Sequence, residues 1–454
     1  MRPAFVITAL RNPISRIGVA LTTASALLFL FLLAALTAGF LQNPYSGLVV
    51  FVLVPALFVV GLLLIPVGLR IERRRVARGV ARPAWPRIDL NDPAIRRTVF
   101  VLIAATFVNL VIVSIASFGA VEYTESQAFC GQTCHTVMEP EFVAHQSGLH
   151  GSVHCVTCHV GPGAGGFLTA KLNGTRQLWL AMTGRHSRPI PTPVKNMPDV
   201  RSSCEQCHRP DRFVGDKVTV LYEHADDEAN TATMTTVRLH VGGPISGTTT
   251  GSGIHWHMNR ANVVEYVAVD DKREQIPYVR VSTPDGTVRE YFAAGTTGAD
   301  VANKPRRRMD CLDCHNRPAH RFSSSPEREV DGAMGAGQIS AKIPFIRREA
   351  VRALRAEYAT QEIASREIAR SIRDAVSARS PQVFEESDLR QAIAVTQAIY
   401  QRSVFPSMKV GWGTYANQIG HIVSTGCFRC HDEEHKTTDG RAISQDCELC
   451  HTIE

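Results

Sequence analysis

Three long stretches of this chain, Ile17 to Phe40, Gly47 to Gly68 and Thr98 to Ala120, contain no charged residue and no histidine. Each is about as long as the roughly 20 residues a bilayer-spanning helix needs, which makes a buried soluble-core helix the poorer reading. Without histidine these segments offer no axial ligands for a haem held inside a helical bundle. Residues 1–16 lack acidic residues but carry three arginines. Acids are sparse again in residues 70–97, where nine arginines face only Glu72, Asp89 and Asp92, a surplus of six. The uncharged turn Leu41 to Ser46 lies between the first two runs, so the positive-inside rule puts the N-terminus and the 70–97 loop in the cytoplasm and everything after Ala120 outside. A cleaved signal peptide would have a shorter apolar core of about 7–15 residues, so the first run reads as an anchor. Pro55 and Pro66 are tolerated in such helices.

The two arginine-rich segments exceed the whole chain's net charge of +7 and leave the rest near −2. The basic balance therefore reports membrane flanks rather than nucleic-acid binding.

All twelve cysteines follow residue 129, on the side where disulfides and covalent haem are formed in bacteria. They fall into six pairs: Cys130/Cys134, Cys155/Cys158, Cys204/Cys207, Cys311/Cys314, Cys427/Cys430 and Cys447/Cys450. Each pair is followed at once by a histidine, namely His135, His159, His208, His315, His431 and His451. Two thiols one turn apart can add to the two vinyl groups of a haem, and the adjacent histidine then reaches the iron. Cys427/Cys430 and Cys447/Cys450 would also fit a zinc ribbon, and Cys-X-X-Cys alone would fit a redox disulfide. Neither needs a histidine after every pair, with no cysteine left over. The reading is six covalently attached haem c groups, five with the standard spacing and one, Cys130-Gly131-Gln132-Thr133-Cys134-His135, with one residue more.

Eleven histidines lie outside the motifs, enough to close a second axial position on every iron. Those beside a motif or closely paired are the candidates: His150, His255, His257, His320, His421 and His435. Met138, four residues beyond Cys134, is a candidate ligand of the first iron, with a packing role the alternative.

The expected fold class is a membrane-anchored multihaem cytochrome c. Residues 1–120 form a three-helix anchor, 121–215 a three-haem region, 216–305 a small β-rich insertion, and 306–454 a second three-haem region with amphipathic helices. The β reading rests on runs such as Val218 to Tyr222, Val263 to Val269 and Tyr278 to Val281, with Pro284-Asp285-Gly286 as a turn. The helical reading rests on Val351, Leu354, Ile368, Ile372 and Val376, then Leu389, Ile393 and Tyr400, at helical spacing among arginines and glutamates. Between the second and third motifs, Leu168, Leu172 and Trp179 recur on one helix face, and a connector follows from Pro189 to Pro198.

Residues 129–210 resemble the NapC/NirT family of membrane-anchored multihaem cytochromes. The resemblance rests on a haem motif just after a membrane helix, Met138-Glu139-Pro140, His150 five residues before Cys155, and Thr169-Ala170-Lys171-Leu172. It implies a quinol pocket beside the first haem with Lys171 as a polar group, His150 as a distal ligand, and Met138 as a ligand of the first iron. The family pattern has one membrane helix and four haems, whereas this chain has three apolar runs and six motifs. No acid occurs between Lys171 and Met182, so Glu139 and Glu141 stand in by proximity.

The function expected is electron transfer from quinol, menaquinol by preference, to an extracytoplasmic cytochrome or reductase, with the chain in the bacterial inner membrane and its haem domain periplasmic. Such a quinol dehydrogenase needs a proton-accepting group near the first haem, for which Lys171 and Glu139 are the candidates. The alternative is a relay and anchor subunit whose membrane partner handles the quinone. A terminal oxyanion reductase is a third reading, which needs an iron with an open position.

Overall fold

The computed structural model describes residues 12–38, 40, 49–77, 89–133, 135–161, 163–194, 197–210, 213–244, 251–378 and 384–454. The turn Leu41 to Ser46, part of the arginine-rich loop, and Cys134 lie outside the described residues, as does the side chain of His135. The chain forms two compact units, Met1–Thr133 and Cys134–Glu454, and the division falls inside the first cysteine motif.

The first unit is built from helices α1 (Pro13–Thr37), α2 (Val54–Ala77) and α3 (Pro93–Glu125). Asn12 and Asp92 cap α1 and α3, each accepting from the backbone N–H two residues on, and a proline follows in both where no N–H is needed. All three helices contain a segment long and apolar enough to cross a membrane. Lipid tails are as apolar as leucine, so helices in a bilayer associate through close packing and buried polar contacts. The seam between α1 and α2 has both. Ser15, Thr22 and Ser25 are buried, and Ser15 Oγ donates to the Ile65 carbonyl at 3.1 Å. A Cβ added at Gly61 would lie 2.5 Å from Thr22 Oγ1 and 2.7 Å from its backbone N, so only glycine fits there. Phe29, Val50, Phe58, Ile112 and Ala116 make an apolar cluster that joins α3 to the pair.

The second unit opens with α4 (His135–Gln146), the short helix Cys155–His159, α5 (Gly163–Met182) and the short helix Val200–Cys204. A β region follows. Strands β1 (Gly215–His224) and β2 (Ala232–Pro244) form an antiparallel hairpin. β2 also pairs with β3 (Gly251–Ser252) and with β8 (His451–Ile453), the end of the chain. A second sheet has the order β6-β5-β4-β7, from β4 (Val263–Val267), β5 (Tyr278–Ser282), β6 (Val288–Phe292) and β7 (Arg307–Arg308).

The main core lies beyond the fourth motif, in α6 (Pro326–Gly335), α7 (Ile346–Arg355), α8 (Gln361–Ser377) and α9 (Glu386–Ser403). Ala364, Ile368, Ile372 and Val376 sit at helical spacing along α8 and are all buried, facing Leu354 of α7 and Leu389, Ala392 and Ile399 of α9. Each such isoleucine, leucine or valine side chain contributes about 1.5–3 kcal/mol by leaving water. The β1–β2 turn is locked onto this bundle. Asn230, in the left-handed conformation, donates to the Ala341 and Ile343 carbonyls, and Arg347 pairs with both Asp226 and Asp331.

Candidate haem sites

The five described Cys-X-X-Cys-His segments share one local device. The short helix Cys155–His159, the turn at Val200–Cys204 and the tight turns at Cys311–Asp313, Gly426–Arg429 and Cys447–Leu449 each curl the backbone by about one turn. His208, His315 and His431 close theirs by donating from N–H to the carbonyl of the first cysteine of the motif, at 2.8, 2.8 and 3.1 Å. A turn of this pitch brings residues three apart onto one face, so both thiols present to one partner. The turns are capped from outside. Asp310 and Asp446 accept from the N–H groups of Leu312 and Glu448 inside the fourth and sixth motifs, Asp199 accepts from Ser202 in the helix that leads into the third, and Asp313 reaches back to the Asp310 N–H.

Each described motif histidine faces a second histidine. The ring centres are 6.1 Å apart for His159 and His320, 6.0 Å for His208 and His150, and 6.4 Å for His315 and His255. For His431 and His257 the separation is 5.9 Å, and for His451 and His421 it is 6.0 Å. An iron held between two imidazole nitrogens at the usual metal–nitrogen distance of about 2 Å needs ring centres about 6 Å apart, so these gaps fit a haem iron.

The hydrogen bonds agree with that fit. Nδ1 of His150 lies 3.1 Å from the Pro318 carbonyl, that of His255 2.8 Å from Val241, that of His257 3.1 Å from Ile254, and that of His320 2.8 Å from Glu141. His431 Nδ1 lies 2.7 Å from the Ser444 carbonyl. A carbonyl can only accept, so in each ring Nδ1 carries the proton and Nε2 keeps its lone pair for a metal. Burial lowers the proton affinity of His159, His257, His315 and His320, the last to about 4, which keeps these rings neutral.

The pairing crosses between segments. His150, just ahead of the second motif, faces the third, and His320, just beyond the fourth, faces the second. His255 and His257 share one turn, Ile254–Met258, and face the fourth and fifth. His421, ahead of the fifth, faces the sixth.

His435 is a correction to the sequence-based set. It is buried, its Nδ1 lies 2.9 Å from Asp432 Oδ1, and its Nε2 donates to the Ile276 carbonyl at 2.6 Å, so no nitrogen is left for a metal. It ties the fifth-motif loop to the second sheet. Of the first site, Cys130 is described, and Met138 lies half-buried on α4.

Next to His320 stands a buried polar group that the histidine count did not expose. Burial pushes the Glu141 carboxyl up, with Arg317, 3.4 Å away, pulling it down. Arg317 stacks on Tyr415 at 3.7 Å, and His145, also buried, lies 5.8 Å from His320. Nothing in sequence spacing singles out Arg317 or His145; only their burial does. Glu139 is exposed on α4. Lys171 lies on α5 with its ammonium 4.9 Å from the Phe167 ring, beside a stripe formed by Leu168, Leu172, Trp179 and Met182, all more than half exposed.

Residues 93–189 match the NapC/NirT cytochrome c family, N-terminal region. Over 449 residues the chain is 41% identical to the cytochrome c-type protein ImcH of Geobacter sulfurreducens, which covers 97% of this chain and 88% of that protein. No solved structure matches.

Proposed function

The chain belongs to the NapC/NirT family, as a membrane cytochrome that carries covalently bound haem c and transfers electrons, and from that premise we propose that it oxidises quinol and relays the electrons to an extracytoplasmic redox partner. Haem c supplies reversible one-electron exchange at iron. The observation that carries the reading is the set of five histidine pairs with gaps of 5.9 to 6.4 Å. A site closed on both sides by imidazole has no position for an oxyanion substrate, so these five sites favour relay over reduction of a bound ligand. With Cys130, Cys134 and His135 as a sixth site, and Met138 its candidate ligand, the chain holds six haems.

The candidate quinol site is the neighbourhood of α5. Its exposed apolar stripe suits a membrane surface, and Lys171 on its flank suits a polar contact to a quinol oxygen. Glu139 is the candidate proton acceptor, because quinol oxidation releases two protons with two electrons. This reading places the chain in the inner membrane with its arginine-rich segments cytoplasmic and the haem-bearing unit periplasmic.

A second reading assigns quinone chemistry to a membrane partner and leaves this chain as relay and anchor; the three apolar helices, more than an anchor needs, favour it. The two are separated by mixing the purified full-length protein with a menaquinol analogue and following the haem absorbance. Rapid reduction, slowed about tenfold or more in Lys171→Ala, supports the first. No reduction by quinol, with full reduction by dithionite, selects the second.

A further inference from the structure

Because the axial pairs cross between segments, chain order does not by itself say which haem sites are neighbours. Contacts among the motif segments do. The second and third motifs meet where the helix Cys155–His159 packs on Val200–Cys204, with the Cys158 thiol in electrostatic reach of Cys207. Between the third and fourth, Val200–Cys204 packs on the turn Cys311–Asp313, which brings Cys204 beside Cys311.

The fourth and fifth are joined by Arg429. This residue lies between the fifth motif's cysteines, and its guanidinium donates at 2.5 Å to the Asp313 carbonyl, which lies between the cysteines of the fourth. The thiol of Cys314 is in reach of Cys427 and Cys430. The fifth and sixth meet where Phe428 stacks on His421, the histidine facing His451, with ring centres 4.2 Å apart. Each of these approaches joins motifs that are successive in the chain.

From these contacts we infer that motifs two to six form a single file in chain order, with the segment Cys311–His315 as its obligatory middle link and Cys447–His451 as its exit. The exit end is accessible, since residues 444–449 are exposed throughout, whereas Asp313 at the middle link is buried. Each hop moves one electron, oxidising the donor site as the next is reduced. Oxidation of one quinol supplies two electrons and releases two protons, and two one-electron acceptors at the exit complete the balance. The file rests on the relay reading only for its direction.

The test uses full-length Cys311→Ala/Cys314→Ala, which keeps five motifs. Dithionite reduces all five haems. With the menaquinol analogue, three reduce in the fast phase, and the two beyond the missing link lag by about tenfold or more. Cys447→Ala/Cys450→Ala, cut at the exit, keeps all five in the fast phase. Fast reduction of all five in the first variant overturns the file. Should that variant not accumulate, His255→Met keeps both thiol attachments while altering the middle site, and the same lag of the last two haems is expected; an unchanged rate at those two overturns it. If quinol reduces no haem in the unmodified protein, quinol entry alone has failed. The file is then read by low-temperature electron paramagnetic resonance of the oxidised protein. Altering the middle site should perturb the signals of the third and fifth sites and leave the sixth unchanged; a change at the sixth overturns the file.

Discussion

At His320 the Nδ1–H donates to the Glu141 carbonyl at 2.8 Å and Nε2 is left to face His159, whereas His435 engages both nitrogens, with Asp432 and with the Ile276 carbonyl. The two residues therefore answer differently to the same substitution. His320→Ala is expected to turn one haem high-spin, removing roughly one-sixth of the low-spin signal in electron paramagnetic resonance. His435→Ala should leave that signal whole and cost about 1–3 kcal/mol of stability in a denaturant titration, because a buried carbonyl and the Asp432 carboxylate lose their partner. The proton affinity of His320 gives a pH dependence of definite sign. Burial lowers it from the usual 6.5 to about 4, so the ring prefers to be neutral in the fold and charged in the unfolded chain. Its contribution is full above about pH 6.5 and is lost as pH falls toward 4; an iron on Nε2 competes with the proton and moves the loss lower still. The low-spin spectrum should thus persist through pH 6.5 and fade only below about 4 in an acid titration of the haem-loaded protein. That histidines beside the motifs are the candidate ligands was readable from their positions. Which motif each faces was not, because a ligand and its iron are joined only by folding.

Among the elements, α8 was legible because one apolar face at a 3.6-residue period leaves little else for Ile368, Ile372 and Val376 to do. Ile372→Ala should destabilise the bundle by about 2–5 kcal/mol, read as a lowered unfolding midpoint, while haem content stays unchanged. The seam of α1 and α2 was legible only in part. Apolar runs announce helices, but the contact of Gly61 with Thr22 depends on which faces meet. Gly61→Leu should force the two helices apart and lower the yield of folded protein in the membrane fraction. β8 was invisible in the sequence. The last motif's histidine and the two residues after it carry no pattern, and their strand character comes from pairing with Val237 to Leu239 of β2.

For the whole molecule, the haem count is the quantity most open to test. Six covalent haems per chain are expected by haemochrome assay and intact mass, falling to five in Cys130→Ala/Cys134→Ala. A chain that already carries only five would show that the longer first motif is not loaded.

By itself the sequence determined what kind of molecule this is. Three uncharged runs are long and apolar enough to cross a bilayer, and twelve cysteines in six histidine-followed pairs specify local turns whose chemistry needs no distant residue. The tertiary structure alone decided which histidine faces which motif and that both nitrogens of His435 are engaged elsewhere. These depend on segments up to 174 residues apart, such as His257 and His431, and no periodicity or spacing encodes a contact made only when the chain folds back on itself.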